Sequence, residues 1–220
     1  MLASVANGDY WQNVYLTRAP EEVGWYEPDP MVSRRLIAKA RERGAQSVID
    51  VGGGASMLVD HLLDLRIPRI AVLDVSEAGL AVARRRLGGQ ADRVEWIVGD
   101  VTTVANIGAF DVWHDRAVFH FLTDANDRNA YVRLAADSIR PGGTAFVATF
   151  APDGPERCSG LPVCRYDEDQ LAQAFGSAFR LQGSERHTHT TPRGVSQSFN
   201  YVTLARVEDA NGGRRGVDRR

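Results

Sequence analysis

Three aspartates, Asp50, Asp74 and Asp100, each stand at or just beyond the end of a short apolar run, and the glycines Gly52, Gly53 and Gly54 follow the first of them. Glycine carries no Cβ, so backbone in such a turn can come very close to a bound nucleotide. The spacing decides which nucleotide. A dinucleotide fingerprint of the form G-x-G-x-x-G, counted from Gly52, needs a third glycine where the chain has Met57. The stretch instead reads Asp50-Val51-Gly52-Gly53-Gly54-Ala55-Ser56, with a carboxylate two residues before the first glycine. That carboxylate would repel a pyrophosphate and attract an ammonium or sulfonium. The pattern points to a cationic, phosphate-free adenosine compound, S-adenosylmethionine.

The elements around these residues are strand and helix in alternation. Ser47–Val51 is a short apolar run suited to a buried strand, and Met57–Leu63 resumes at helical spacing. Arg69–Asp74 reads as the second strand, with Asp74 lying 20 residues beyond Gly54, where an acidic residue followed by Val75 can take both ribose hydroxyls. Ser76 caps a helix to about Leu87, whose Arg84-Arg85-Arg86 run suits a solvated last turn. Val94–Val98 is a third strand ending in Gly99-Asp100-Val101, and Phe110–His114 is a fourth. Asp124 caps a helix to about Ile139, stopped by Pro141-Gly142-Gly143, and Thr144–Phe150 is the fifth strand. Such alternation predicts an α/β fold, a three-layer αβα sandwich on a mostly parallel sheet.

From about residue 45 to 207 the chain resembles the class I S-adenosylmethionine-dependent methyltransferases. The resemblance implies seven strands in the order 3-2-1-4-5-7-6, the last antiparallel. It also implies that Asp100 meets the adenine amine and that backbone at His114 and Asp115 meets the methionyl amine. The Asp115-Arg116 pair is similar to the Asp-Lys/Arg of small-molecule thiol methyltransferases and of some protein lysine methyltransferases. Here Ala117-Val118 stands in place of the Gly-Thr common in the lysine group. The Asn-Pro-Pro-aromatic signature of amide and nucleobase N-methyltransferases is absent, which argues against those acceptors.

The acceptor side falls to segments that the cofactor leaves unused. Tyr10, Trp11, Tyr15, Trp25 and Tyr26 crowd a stretch broken by Pro20, Pro28 and Pro30. This N-terminal region, residues 1–44, reads as a helical, aromatic cap, with Trp25 able to face a sulfonium and Tyr10, Trp11 and Tyr26 facing substrate. The loop 151–166 follows the fifth strand, and the loop 187–194 lies between two β-rich runs. Cys158, Arg165, Tyr166, His187 and His189 are therefore expected to converge with Arg116 over the methyl group. Arg165 suits an acidic acceptor, and His187 or His189 would remove a proton. No metal is expected, because no pair of ligand types has the right spacing on one helix.

Composition narrows the classes. Hydrophobic residues make up 44%, charged residues 25%, and the net charge is −2, so no nucleic-acid partner is expected. No apolar run approaches the ~20 residues of a membrane helix, and the N-terminus lacks the pattern of a signal peptide. Two cysteines do not make a disulfide framework, and a cytoplasmic location is expected. Lys39 is the one lysine. Residues 45–207 form the cofactor-binding domain, and the glycine- and arginine-rich stretch 208–220 reads as a flexible tail. The expected activity is in-line methyl transfer to a small-molecule O, S or N acceptor. The alternatives are a protein lysine methyltransferase, or a nucleotide-binding oxidoreductase or non-catalytic cofactor-binding protein. The sequence does not set the oligomeric state.

Overall fold

Alternation along the first strand divides the core. In the computed structural model, which describes residues 8–207, β1 (Ser47–Val51) is buried throughout. Successive side chains on a strand point to opposite faces, so Val48 packs into one apolar cluster while Ile49 and Val51 pack into another. Both faces therefore need helices. The first is covered by α2 (Met31–Glu42), α3 (Leu58–Asp64) and α4 (Glu77–Leu87) through Ile37, Leu62 and Leu80. The second is covered by α5 (Ala125–Ser138) and α6 (Glu168–Phe175) through Tyr131, Leu134, Leu171 and Phe175. Three layers result. A further helix, α1 (Gly8–Thr17), precedes α2.

The remaining sheet strands are β2 (Arg69–Asp74), β3 (Val94–Val98), β4 (Phe110–Arg116), β5 (Ile139–Phe150), β8 (Phe179–Thr190) and β9 (Ser196–Arg206). Their order is β3-β2-β1-β4-β5-β9-β8, the expected order when only sheet strands are counted. The first five are parallel, and β9 runs antiparallel to both β5 and β8. A separate two-stranded hairpin, β6 (Arg157–Cys158) with β7 (Leu161–Pro162), lies in the loop after β5. Among the described residues no helix is long and apolar enough to cross a membrane. The expected tail at 208–220 and the first seven residues of the expected cap lie outside the described residues.

Two boundaries differ from the sequence reading. The fifth strand begins at Ile139, ahead of the Pro-Gly-Gly stop, because that tripeptide forms an irregularity within the strand. Gly142 takes φ +78°, and a Cβ at Gly143 would lie 2.8 Å from the Asp111 carbonyl oxygen. At the other edge, β8 continues through Thr190, paired to Ser196, so His187 and His189 are strand residues and not loop residues.

A buried polar chain ties α5 to the tip of β4. Trp113 Nε1 donates to the Tyr131 hydroxyl at 2.8 Å, and that hydroxyl donates to the Asp115 carboxylate. Trp113, Tyr131 and Asp115 are all fully buried. Tyr131→Phe leaves an indole N–H without an acceptor and one donor fewer on Asp115, a penalty of about 1–3 kcal/mol per orphaned group. Urea unfolding should show a lowered midpoint with an unchanged m-value.

Candidate active site above the strand tips

The glycine turn after β1 is shaped by contacts that no side chain would permit. Gly52 and Gly54 take φ of +67° and +42°. A Cβ on Gly52 would sit 2.0 Å from Val118 Cγ2, and one on Gly54 would sit 2.5 Å from the Tyr15 hydroxyl oxygen. The Gly52 N–H donates to the Leu73 carbonyl at 2.7 Å, which pins the turn to β2. Ser56 Oγ accepts from the Leu58 N–H and starts α3.

Carboxylates ring this turn. Asp50 is buried, with Oδ1 2.7 Å from His114 Nδ1, and His114 Nε2 lies 2.8 Å from the Ser33 hydroxyl of α2. Asp50 Oδ2 is buried and has no hydrogen-bond partner. Asp74 is buried at the tip of β2 and accepts from the Ser76 N–H at 2.7 Å. Its pKa is pushed up to about 7, foremost by burial, with the nearby Asp50 charge adding to the shift. Asp100 is half-buried just beyond β3, and its Oδ1 accepts from the Thr102 N–H and hydroxyl.

Two cavities lie over these tips. The larger has about 780 Å³ of empty space, part of it open to solvent, and runs from Asp74, Val75, Asp100 and Val101 to Arg116 and Cys158. Trp11, Tyr15 and Trp25 cover it. The smaller has about 600 Å³ and is lined by Tyr26, Glu27, Ser33, Asp50, Gly53, Ser56 and His114. Tyr15, Trp25, Gly52 and Arg116 border both. Most residues expected at the cofactor thus line one or other of these two adjoining cavities.

Arg116 joins the cap to the sheet. Its Nε–H donates to the Tyr201 hydroxyl at 3.1 Å, and its two terminal nitrogens donate to the Trp25 carbonyl at 3.0 Å and Glu27 Oε1 at 2.9 Å. The guanidinium also lies over the Phe199 ring, 4.6 Å from its centroid. Glu27 meets His189 as well, with Nδ1 at 3.3 Å, and His189 Nε2 lies 2.9 Å from the Gly24 carbonyl oxygen. Burial alone would raise the Glu27 carboxyl, but the His189 hydrogen bond and the Arg116 charge outweigh it, so its pKa ends below the usual range.

Several expected residues are elsewhere. His189 is buried with both ring nitrogens engaged by the cap, and His187 packs its ring toward Tyr201; neither lines either of these two cavities. Placing both in a paired strand directs them at the cap. Arg165 is exposed, donating to the Gly154 carbonyl and Glu156, and Tyr166 packs on Phe119 in the α5–α6 layer. The Asp115 carboxylate accepts from the Val118 and Phe119 N–H groups, so its side chain serves the loop, while the expectation for Asp115 concerned its backbone. Burial lifts its pKa to about 6. Tyr10 lies at the rim, donating to the Ser159 carbonyl of the β6–β7 hairpin. Trp11, Trp25, Arg116 and Cys158 do line the larger cavity, and Tyr26 lines the smaller. The sequence reading missed Ser33, Glu27, Tyr15, Phe121 and Leu122 as site residues. Only the aromatic crowding around Tyr15 was a signal for any of them.

Glu27→Ala leaves Arg116 buried without its carboxylate, a loss of about 3–5 kcal/mol. Chemical denaturation of Glu27→Ala, Arg116→Met and the double variant tests this. The double variant should lose less than the sum of the two single losses.

A family described as "Methyltransferase domain" matches residues 48–143. The chain is 32% identical over 114 residues to the ubiquinone/menaquinone biosynthesis C-methyltransferase UbiE of Paracoccus denitrificans, covering 50% of this chain and 44% of the relative. The chain thus spans less than half the length of that curated relative. Among solved structures, one from work on the conversion of a disulfide into a thioacetal during echinomycin biosynthesis superposes with a TM-score of 0.73 at 16% identity, covering 93% of each chain. The N-methyltransferase NodS of Bradyrhizobium japonicum, in complex with S-adenosylhomocysteine, gives 0.68 at 14% identity, covering 92% of this chain and all (100%) of NodS. Residues 48–143 thus match a methyltransferase domain, and the chain shares the seven-stranded fold of solved methyltransferases such as NodS.

Proposed function

We propose that the chain transfers the methyl group of S-adenosylmethionine to an O, S or N atom of a small molecule, by in-line displacement, in the cytoplasm. The observation that carries this is Asp50, which lines the smaller cavity and whose buried Oδ2 has no hydrogen-bond partner. An acceptor atom buried without a donor calls for a ligand that brings one, and a charged donor suits a carboxylate best. Asp74 and Asp100 at the neighbouring tips suit ribose hydroxyls and an adenine amine. The glycine turn leaves room for the ligand's close approach. The two unpaired cysteines suit a reducing compartment.

In this reading Asp50, oriented by His114 and Ser33, holds the amino end of the cofactor, while Asp74, Val75, Asp100 and Val101 hold its nucleoside. When bound, the cofactor supplies an electrophilic methyl carbon on a positively charged sulfur. The chain's part is alignment and exclusion of water. Trp11, Tyr15 and Trp25 roof the site, and the segment before residue 45 acts as a cap fastened through Glu27 and Arg116. Tyr10 bridges that cap to the β6–β7 hairpin, enclosing the acceptor end in a way that suits a small molecule better than a lysine on a protein surface.

Incubating the protein with methyl-labelled cofactor and a desalted extract, then with the extract's small-molecule fraction, tests the reading. Label should enter small metabolites and not protein. Label appearing only in protein would overturn it.

Cofactor affinity should depend on pH with a definite sign. Asp74 in the free protein is protonated below about pH 7. The ionised form accepts two hydroxyl hydrogen bonds better, so binding S-adenosylhomocysteine releases a proton. Titration calorimetry should show affinity falling as pH drops below about 7, by up to tenfold per unit, with the dependence lost in Asp74→Asn.

A further inference from the structure

We propose that the acceptor enters the site already ionised, as a small planar anion carrying its accepting oxygen or sulfur, and that Arg116 selects it. The proposal rests on the methyltransferase reading above and names the class of acceptor.

The acceptor end of the larger cavity is aromatic. Trp11 meets Trp25 and Phe121 edge to face, with ring centroids 5.6 and 5.1 Å apart. Among the described residues lining that cavity, Arg116 is the one basic side chain. Arginine has five N–H donors and does not lose its charge. Three of those donors reach Tyr201, the Trp25 carbonyl and Glu27, which leaves two for a ligand. A planar fork of this kind suits an anionic oxygen or sulfur.

Among the described residues, no group at this end is fit to take a proton. The Cys158 thiol is pushed up to about 11, mainly by burial, and stays a neutral donor. Burial likewise raises the Tyr15 hydroxyl. His120 is fully buried beside Phe121 and Phe150, and burial with the Arg116 charge pushes it down to about 3, too weak a base near neutrality. Glu27 borders the smaller cavity and is held low between His189 and Arg116. Tyr201 faces Arg116 and is raised by burial. His187 and His189 line neither cavity. Asp74 and Asp100 stand at the nucleoside end.

A neutral alcohol or thiol would therefore meet no side-chain base among the described residues, whereas an anion brings no proton to remove. The acceptor's electron pair forms the new bond to the methyl carbon, and the pair of the broken carbon–sulfur bond goes to sulfur. The negative charge of the acceptor and the positive charge of the sulfonium cancel, so no base is needed.

The test compares two probes of the same outline, 4-nitrophenolate and neutral 4-nitroaniline. Each is titrated by calorimetry into the full chain saturated with S-adenosylhomocysteine, above the pKa of nitrophenol. The anion should bind at least about tenfold more tightly, and Arg116→Gln should abolish the difference. The wild-type comparison stands alone if that variant does not fold. Equal or tighter binding of nitroaniline, or binding of neither probe, overturns the proposal. Failure of S-adenosylhomocysteine itself to saturate the chain strikes instead at the methyltransferase reading.

Discussion

Two carboxylates are buried at the tips of adjacent parallel strands, and among the described residues neither meets a lysine or arginine. β1 and β2 pair Asp50 with Val72 and Val51 with Leu73, so Asp74 emerges one step beyond the pairing, beside the glycine turn. Each charge penalises the other, and burial penalises both. Asp50 is steadied by His114, and Asp74 by backbone N–H groups. The cavity above them is the place where a cationic or hydroxyl-bearing ligand can complete what the protein leaves open. The glycines, the Ser33 and His114 supports, and the aromatic roof all follow from keeping that place accessible yet dry.

The roof is held by charge as well as by aromatic packing. Glu27 receives Arg116 from β4 and His189 from β8, so one carboxylate on the cap fastens it to two strands of the sheet. An ion pair between Arg35 of α2 and Glu185 of β8 adds a second tie on the same side. In β8 beyond the irregularity at 181–183, residues 185, 187 and 189 are the less exposed ones, which directs this face of the strand toward the cap. The edge strand therefore ties the cap to the sheet.

The sequence made the cofactor half legible because it is written in local terms. Strand, glycine turn and helix are contiguous, and Asp50, Asp74 and Asp100 occupy equivalent positions in repeated units. The acceptor half depends on tertiary contacts that no spacing announces. His189 looked like a base because it sits near a loop, but the β8–β9 ladder carries it to Glu27, about 160 residues earlier in the chain. At Asp115 the expectation concerned the backbone, and the structure adds that its carboxylate accepts from two N–H groups of the turn at Ala117, which has φ +71°. Arg165 and Tyr166 were read correctly as following β5, but the β6–β7 hairpin turns them away from the cavity and leaves Cys158 facing it.

The central claim is that the strand tips select a cationic, phosphate-free adenosine ligand. A thermal-shift comparison of S-adenosylmethionine, S-adenosylhomocysteine and NAD tests it most directly. At about a hundred times its dissociation constant a ligand stabilises the fold by about 2.7 kcal/mol, which for a domain of this size is a rise of roughly 5–10 °C. The account predicts that rise with both sulfur compounds and none with NAD. A rise with NAD and none with either sulfur compound would contradict it.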